Sequence, residues 1–246
     1  MTVENPKVIL VMGATGTRKT SFINTVSGSN FAVPKRGDLD SCTANVQKTE
    51  PFKFGGHNVV LVDTPGFGFS GHENVVGTDQ EVLKRIADFL CTEYAKKVQL
   101  SGVIYMHPFP EVRIQRTVKH YFGIFSELCG PDVFDHVTIV ITPSDSGEEE
   151  EKLESLKKCT FADVSEAGGR ILVETDDTFS VTRNYLLTSL NEKPVFLKIQ
   201  REMGDQNMSL KDTSAGRVLS GTQKKDEKSH RISWKKFRRG FWRIDV

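Results

Sequence analysis

The sequence predicts an α/β three-layer sandwich with a mostly parallel sheet, followed by C-terminal helices and a basic tail. Over the first 190 residues, short apolar runs alternate with longer stretches of helical periodicity, the pattern of strands joined by crossover helices. The runs are continuously apolar, as in buried strands. A length of 246 residues, 37% hydrophobic and 26% charged, suits one large globular domain with a tail.

In chain order, "KVILVM" (7–12) reads as a buried strand ending on Gly13, and "TSFINTVSG" after it as a helix closed by Gly28. "NVVLVDT" (58–64), "GVIYMH" (102–107) and "VTIVIT" (137–142) read as the second, third and fourth strands. Between them Val82, Leu83, Ile86, Phe89 and Leu90 share one helical face. Ile114, Val118, Tyr121, Phe122, Phe125 and Leu128 share another, and core packing is the expected role of both sets. "GEEEEK" (147–152) suits a solvated helix start, where carboxylates favour the helix dipole. Val181, Tyr185, Leu186 and Leu190 mark a further helix, Pro194 opens a short one through Met203, and Ser209 with Asp212 begins a last weak one. Past Gly221 the periodic signal stops, so residues 1–219 are expected to form the domain and 220–246 the tail.

No apolar run approaches the length of a membrane span, and the first ten residues lack the charge-then-apolar pattern of a leader, so a cytoplasmic protein is expected. Cys42, Cys91, Cys129 and Cys159 are widely spaced, with no paired motif, and are expected to be reduced thiols. The net charge of +1 conceals an asymmetry: residues 221–246 carry +6 and the rest about −5.

Residues 13–20, "GATGTRKT", match the phosphate-loop pattern G-x-x-x-x-G-K-[ST] except at Arg18, where glycine is written. Partner signals strengthen the match. Asp63 stands at the tip of "VVLVDTPG", 43 residues after Thr20, where a carboxylate holds Mg²⁺ through water. Gly66 offers an unobstructed backbone N–H to a γ-phosphate. Thr43, in "SCT", supplies a hydroxyl to the metal and a backbone contact to the γ-phosphate.

With these residues in place the sequence resembles the septin-like and immunity-associated branch of the translation-factor-related P-loop GTPases, and within it fungal G-domain proteins. The resemblance runs from about residue 6 to 219 through "VMGATGTRKTSFIN" (11–24), "SCTANVQ" (41–47), "LVDTPGF" (61–67), "GVIYMHPFPEVRI" (102–114), "FSELCG" (125–130) and "IQREMGDQ" (199–206). It implies GTP or GDP as ligand with Mg²⁺. It also implies a phosphate site formed by Gly13, Ala14, Thr15, Gly16, Thr17, Arg18, Lys19, Thr20, Ser21 and Gly66, with Lys19 on the β- and γ-phosphates and the loop amides around them. Thr20, Thr43 and Asp63 form the metal set. Related families pair across the nucleotide face, so a homodimer is implied as well.

Three departures leave alternatives open. Arg18 either points outward, blocks binding, or adds a phosphate clamp. In "ITPSD", Thr142 and Asp145 stand in the frame of the guanine-reading [NT]-K-x-D motif, but Pro143 replaces the lysine, so Asp145 reads equally as a helix cap. "TFSVT" (178–182) is the candidate for the last base-contacting loop, with Ser180 the closest match. Phe67 stands where many GTPases keep a water-orienting glutamine, which predicts slow or impaired hydrolysis and leaves the catalytic residues unassigned. His72 and Glu73 are polar substitutes in the same loop.

The tail interleaves Trp234, Phe237, Phe241 and Trp242 with five lysines and arginines between 235 and 243. It reads as a loosely docked end or as a basic amphipathic segment for an anionic membrane. A nucleic-acid partner is not expected from one short tail. The expectation is a guanine-nucleotide switch or assembly module. The alternatives are a degenerate G domain serving as a nucleotide-free scaffold and an ATP-binding P-loop relative.

Overall fold

The computed structural model describes residues 5–33, 43–68, 78–109, 115–142, 150–176 and 178–222. Seven strands form one mixed sheet: β1 (Lys7–Gly13), β2 (Gln47–Lys48), β3 (Phe52–Phe54), β4 (His57–Asp63), β5 (Gly102–Pro108), β6 (Val137–Thr142) and β7 (Arg170–Val173). Their order is β2-β4-β1-β5-β6-β7, with β3 also paired to β4. β1, β4, β5, β6 and β7 run parallel, whereas β2 and β3 pair antiparallel with β4. This is the mostly parallel α/β sandwich expected from the sequence.

The continuous apolar runs have a direct cause. A strand covered by helices on both faces must be apolar at every position, with alternate residues serving opposite layers. In β1, Val8, Leu10 and Met12 enter one core cluster while Ile9 and Val11 enter the other. β5 divides the same way, with Val103 and Tyr105 against Ile104 and Met106. The first cluster is closed by α2 (Asp79–Ala95) and α3 (Gln115–Cys129), through Val82, Leu83, Ile86, Leu90, Phe122, Phe125 and Leu128. The second is closed by α1 (Lys19–Ser27) and α6 (Ser180–Ser189), through Phe22, Ile23, Val26 and Leu186.

The helix termini follow local sequence. α2 begins at a capping box in which Thr78 Oγ1 accepts from the Glu81 amide at 3.3 Å and Glu81 Oε2 accepts from the Thr78 amide at 2.8 Å. α1 ends on Gly28, with φ 72°. Between β6 and β7 lie α4 (Glu150–Ser155), whose first turn is acidic as expected, a π-helical turn (Leu156–Thr160), and α5 (Ala162–Glu166). The final elements are α7 (Lys198–Gly204) and α8 (Ser214–Leu219). Ser209 and Asp212 bracket a single 3-10 turn, and α8 is capped instead by Thr213, whose hydroxyl accepts from the Gly216 amide at 3.1 Å. These C-terminal helices lie on α2 and α3: the Gln200 side chain donates to the Leu90 carbonyl at 3.0 Å, and Lys198 pairs with Glu127 at 2.7 Å.

Ile114 lies outside the described residues. Cys91, Cys129 and Cys159 are free thiols. No described helix is long and apolar enough to cross a membrane.

Candidate functional site

The site forms at the C-terminal ends of β1 and β4, neighbours in the sheet centre, where parallel α/β folds place their ligands. β1 runs out at Gly13, whose φ of 145° and tight surroundings exclude any other residue: a Cβ there would lie 2.2 Å from the Met106 carbonyl oxygen. The chain then turns through Ala14–Thr17 into α1. Thr17 Oγ1 donates to the Ala14 carbonyl at 2.9 Å, and Lys19 Nζ donates to the same oxygen at 2.8 Å, so the ammonium lies back across its own loop. Ser21 follows, half-buried in the first turn of α1.

The strand-end loop of β4 is bound onto this turn. Thr64 Oγ1 donates to the Val11 carbonyl at 2.8 Å, and the Thr15 amide donates to the Phe67 carbonyl at 2.7 Å. Gly66 lies between them against Thr15, and a Cβ at 66 would meet the Thr15 amide nitrogen at 2.6 Å. Thr15 Oγ1 is buried with no partner on this inner surface.

Three oxygens converge beside Lys19. Thr20 Oγ1 donates to Asp63 Oδ2 at 2.8 Å, Thr43 Oγ1 donates to the same oxygen at 3.2 Å, and the two hydroxyl oxygens are 3.1 Å apart. Arg85 of α2 holds the Thr43 segment by donating to the Ala44 carbonyl at 2.8 Å. The other carboxylate oxygen, Asp63 Oδ1, is buried without a partner although Asp63 is 0% exposed. A buried acceptor left unpaired is costly and marks a missing donor or cation. The all-oxygen set and its spacing fit Mg²⁺, whose octahedron of 2.0–2.1 Å bonds has edges of about 2.9 Å.

Burial opposes both charges at this spot. It lowers the Lys19 ammonium to about 8, with Asp63 acting the other way. It raises the Asp63 carboxyl above its usual range, against hydrogen bonds from Thr20 and Thr43 and the charge of Lys19. An anion above the ammonium and a cation beside the carboxylate would each restore the ionised form.

Arg18 has a definite place. It is the residue before α1, with φ 66° and ψ 25°, a left-handed conformation that costs an L-residue roughly 1–2 kcal/mol and explains why the motif calls for glycine. Its guanidinium lies 5.3 Å from the centroid of the Phe179 ring, a cation–π contact worth about 0.5–2 kcal/mol, enough to offset the strain.

Thr142 ends β6, buried, and its hydroxyl donates to the His107 carbonyl at 3.3 Å. Asp145 and Pro143 lie outside the described residues, as do His72 and Glu73. β7 ends at Val173, and Ser180 is already the first residue of α6. The two residues that organise this loop escaped the motif reading. Glu174, 0% exposed, accepts from the Val181 and Thr182 amides at 3.3 and 2.6 Å, and Phe179 precedes α6 with a buried ring. The acid closing the apolar run "RILVE" is the signal that points to them. Phe67 is 1% exposed and stacks on Tyr121 of α3 with centroids 5.9 Å apart, so no polar side chain stands at that position.

The fold is the α/β sandwich of the P-loop GTPases. Residues 8–106 match the family model described as 50S ribosome-binding GTPase. The chain is similar to GTP-binding protein A of Dictyostelium discoideum, at 27% identity over 148 residues, covering 58% of this chain and 29% of that protein. The match thus spans under a third of that relative's length. Among solved structures it resembles Toc33 of Arabidopsis thaliana in complex with GDP and Mg²⁺, with a TM-score of 0.55 at 15% identity, covering 79% of this chain and 89% of that one. A structure reported under the statement that dimerization is important for the GTPase activity of the chloroplast translocon components atToc33 and psToc159 gives 0.56 at 15% identity, covering 78% and 86%. At such identity the likeness speaks to the fold.

Proposed function

We propose that this protein binds GDP and GTP with Mg²⁺ and works as a nucleotide-dependent switch or assembly module of the septin-like and immunity-associated branch, with slow hydrolysis. The convergence of Lys19, Thr20, Thr43 and the half-unpaired Asp63 at the ends of β1 and β4 carries this reading. Lys19 and the amides at the start of α1 bind and orient the phosphates. Thr20 and Thr43 hold Mg²⁺, with Asp63 anchoring both hydroxyls. Mg²⁺ bound there supplies charge that neutralises the β- and γ-phosphate oxygens. Gly66 approaches the γ-phosphate by its amide. Phe67, packed on Tyr121, orients no water, which supports slow turnover.

Pairing of two copies across the nucleotide face follows from the family resemblance and is in keeping with what is reported of Toc33. A cytoplasmic location, with the basic tail touching anionic membrane, completes the proposal.

Calorimetric titration with GDP, a non-hydrolysable GTP analogue and ATP, each with and without Mg²⁺, tests it. Both guanine nucleotides are expected to bind, more tightly with Mg²⁺, and ATP to bind more weakly. Equal affinity for ATP would make the protein an ATP-binding relative. No binding of any nucleotide would leave a scaffold.

A further inference from the structure

Among the described residues, four that are not glycine have positive φ: Arg18, Lys97, Phe179 and Asn207. Two of the four touch each other, since the Arg18 guanidinium lies over the Phe179 ring. Strain of this kind persists only where the surroundings over-determine it, and both residues precede helices that border the nucleotide site. Arg18 leads into α1 and Phe179 into α6. The Phe179 ring is fully buried and packs edge-to-face on Phe22 of α1, at 5.4 Å and 78°. Arg18 and Phe22 belong to the phosphate-loop unit, so the ring meets that unit through both of them.

Glu174 and Asp176, on the same segment, make further hydrogen bonds. The Glu174 amide donates to the Ile141 carbonyl at 2.9 Å, and the Glu174 carboxylate caps the first turn of α6. Asp176 Oδ1 accepts from the Thr178 amide at 2.8 Å and from its hydroxyl at 2.6 Å. Phe179 is where the residue before α1 meets this segment.

We propose that Arg18 is a positioning residue: its guanidinium, seated on Phe179, straps the phosphate loop to the β7–α6 loop, so that the phosphate and base sides of the nucleotide site are held in one arrangement. The strap rests on the nucleotide-site reading above. It assigns the departure at position 18 to the base side of the site, with no role on the transferring phosphate.

The test is a double-mutant cycle of Arg18→Gln and Phe179→Leu, with Arg18→Lys as the conservative variant. Affinities for GDP and for inorganic pyrophosphate, which has no base, are measured side by side. Arg18→Gln should weaken GDP by about two- to thirtyfold, the range of one cation–π contact, through faster dissociation, and leave pyrophosphate unchanged. Arg18→Lys should recover part of the loss. Phe179→Leu should also weaken GDP, and Arg18→Gln should cost less in the Phe179→Leu background than in the wild type, because the two residues share one interaction. A parallel loss of pyrophosphate affinity in Arg18→Gln would make the arginine a phosphate ligand and overturn the proposal, as would additive losses. The same cycle on thermal unfolding of the nucleotide-free protein separates the two readings. A wild type that binds no GDP removes the proposed function, whereas absence of coupling in the unfolding cycle removes the strap.

Discussion

Lys19 is an ammonium buried to 6% exposure whose one hydrogen bond is to a loop carbonyl, 2.8 Å away. Its place follows from the motif, and its chemistry from burial, which holds it at about 8. Bound phosphate would raise it again, so binding takes up a proton wherever the free protein has lost it. The sign is then definite: phosphate affinity is level below about pH 7 and falls as pH rises through 8, approaching tenfold per unit. Pyrophosphate and GDP titrations from pH 6.5 to 9.5 measure this, and a flat profile would contradict it. Lys19→Ala should cost about two orders of magnitude in affinity, since it deletes a charge-assisted contact in a desolvated site. Equal affinity in mutant and wild type would remove the phosphate-loop assignment.

Among the elements, β7 and α6 show how a short loop is fixed by one buried acid. β7 was not among the four strands read from the sequence, because "RILV" is only four residues long and half-buried along its length. α6 was legible from Val181, Leu186 and Leu190, but its beginning was not. A carboxylate reaching across the loop replaces the local side-chain cap that sequence patterns recognise, and neither Phe179 nor Ser180 supplies one. Glu174→Ala should therefore leave two buried amides without acceptors and lower stability by about 1–3 kcal/mol. Glu174→Gln, which keeps an acceptor oxygen, should lose less. Urea unfolding midpoints decide between them, and unchanged midpoints would mean that the cap contributes nothing.

At the scale of the whole molecule, the sheet order puts the phosphate loop and Asp63 side by side although they are 43 residues apart in sequence, because β4 crosses over to pair with β1. Charge is divided along the chain: residues 1–220 carry about −5 and 221–246 carry +6. A tail of that charge, with four large aromatics, should bind anionic vesicles in a salt-sensitive way. Truncation after Ser220 should abolish co-sedimentation with phosphatidylserine vesicles at low salt. Undiminished sedimentation of the truncated protein would assign the membrane contact to another surface.

By itself the sequence determined the central strands, the apolar faces of α2 and the later turns of α3, and the grouping of Lys19, Thr20, Thr43 and Asp63 in one place. Those features are carried by periodicity and by motif spacing, which are local properties of the chain. The tertiary structure alone decided what local pattern does not encode. The short strands β2 and β3 form their ladders on β4, and the Glu174 cap depends on where β7 ends relative to α6. Arg18 belongs to the same group. Its left-handed backbone is written at position 18, but the direction of its side chain was open between solvent, phosphate and protein, and it was settled by an aromatic ring that the fold brings beside it from the far end of the sheet.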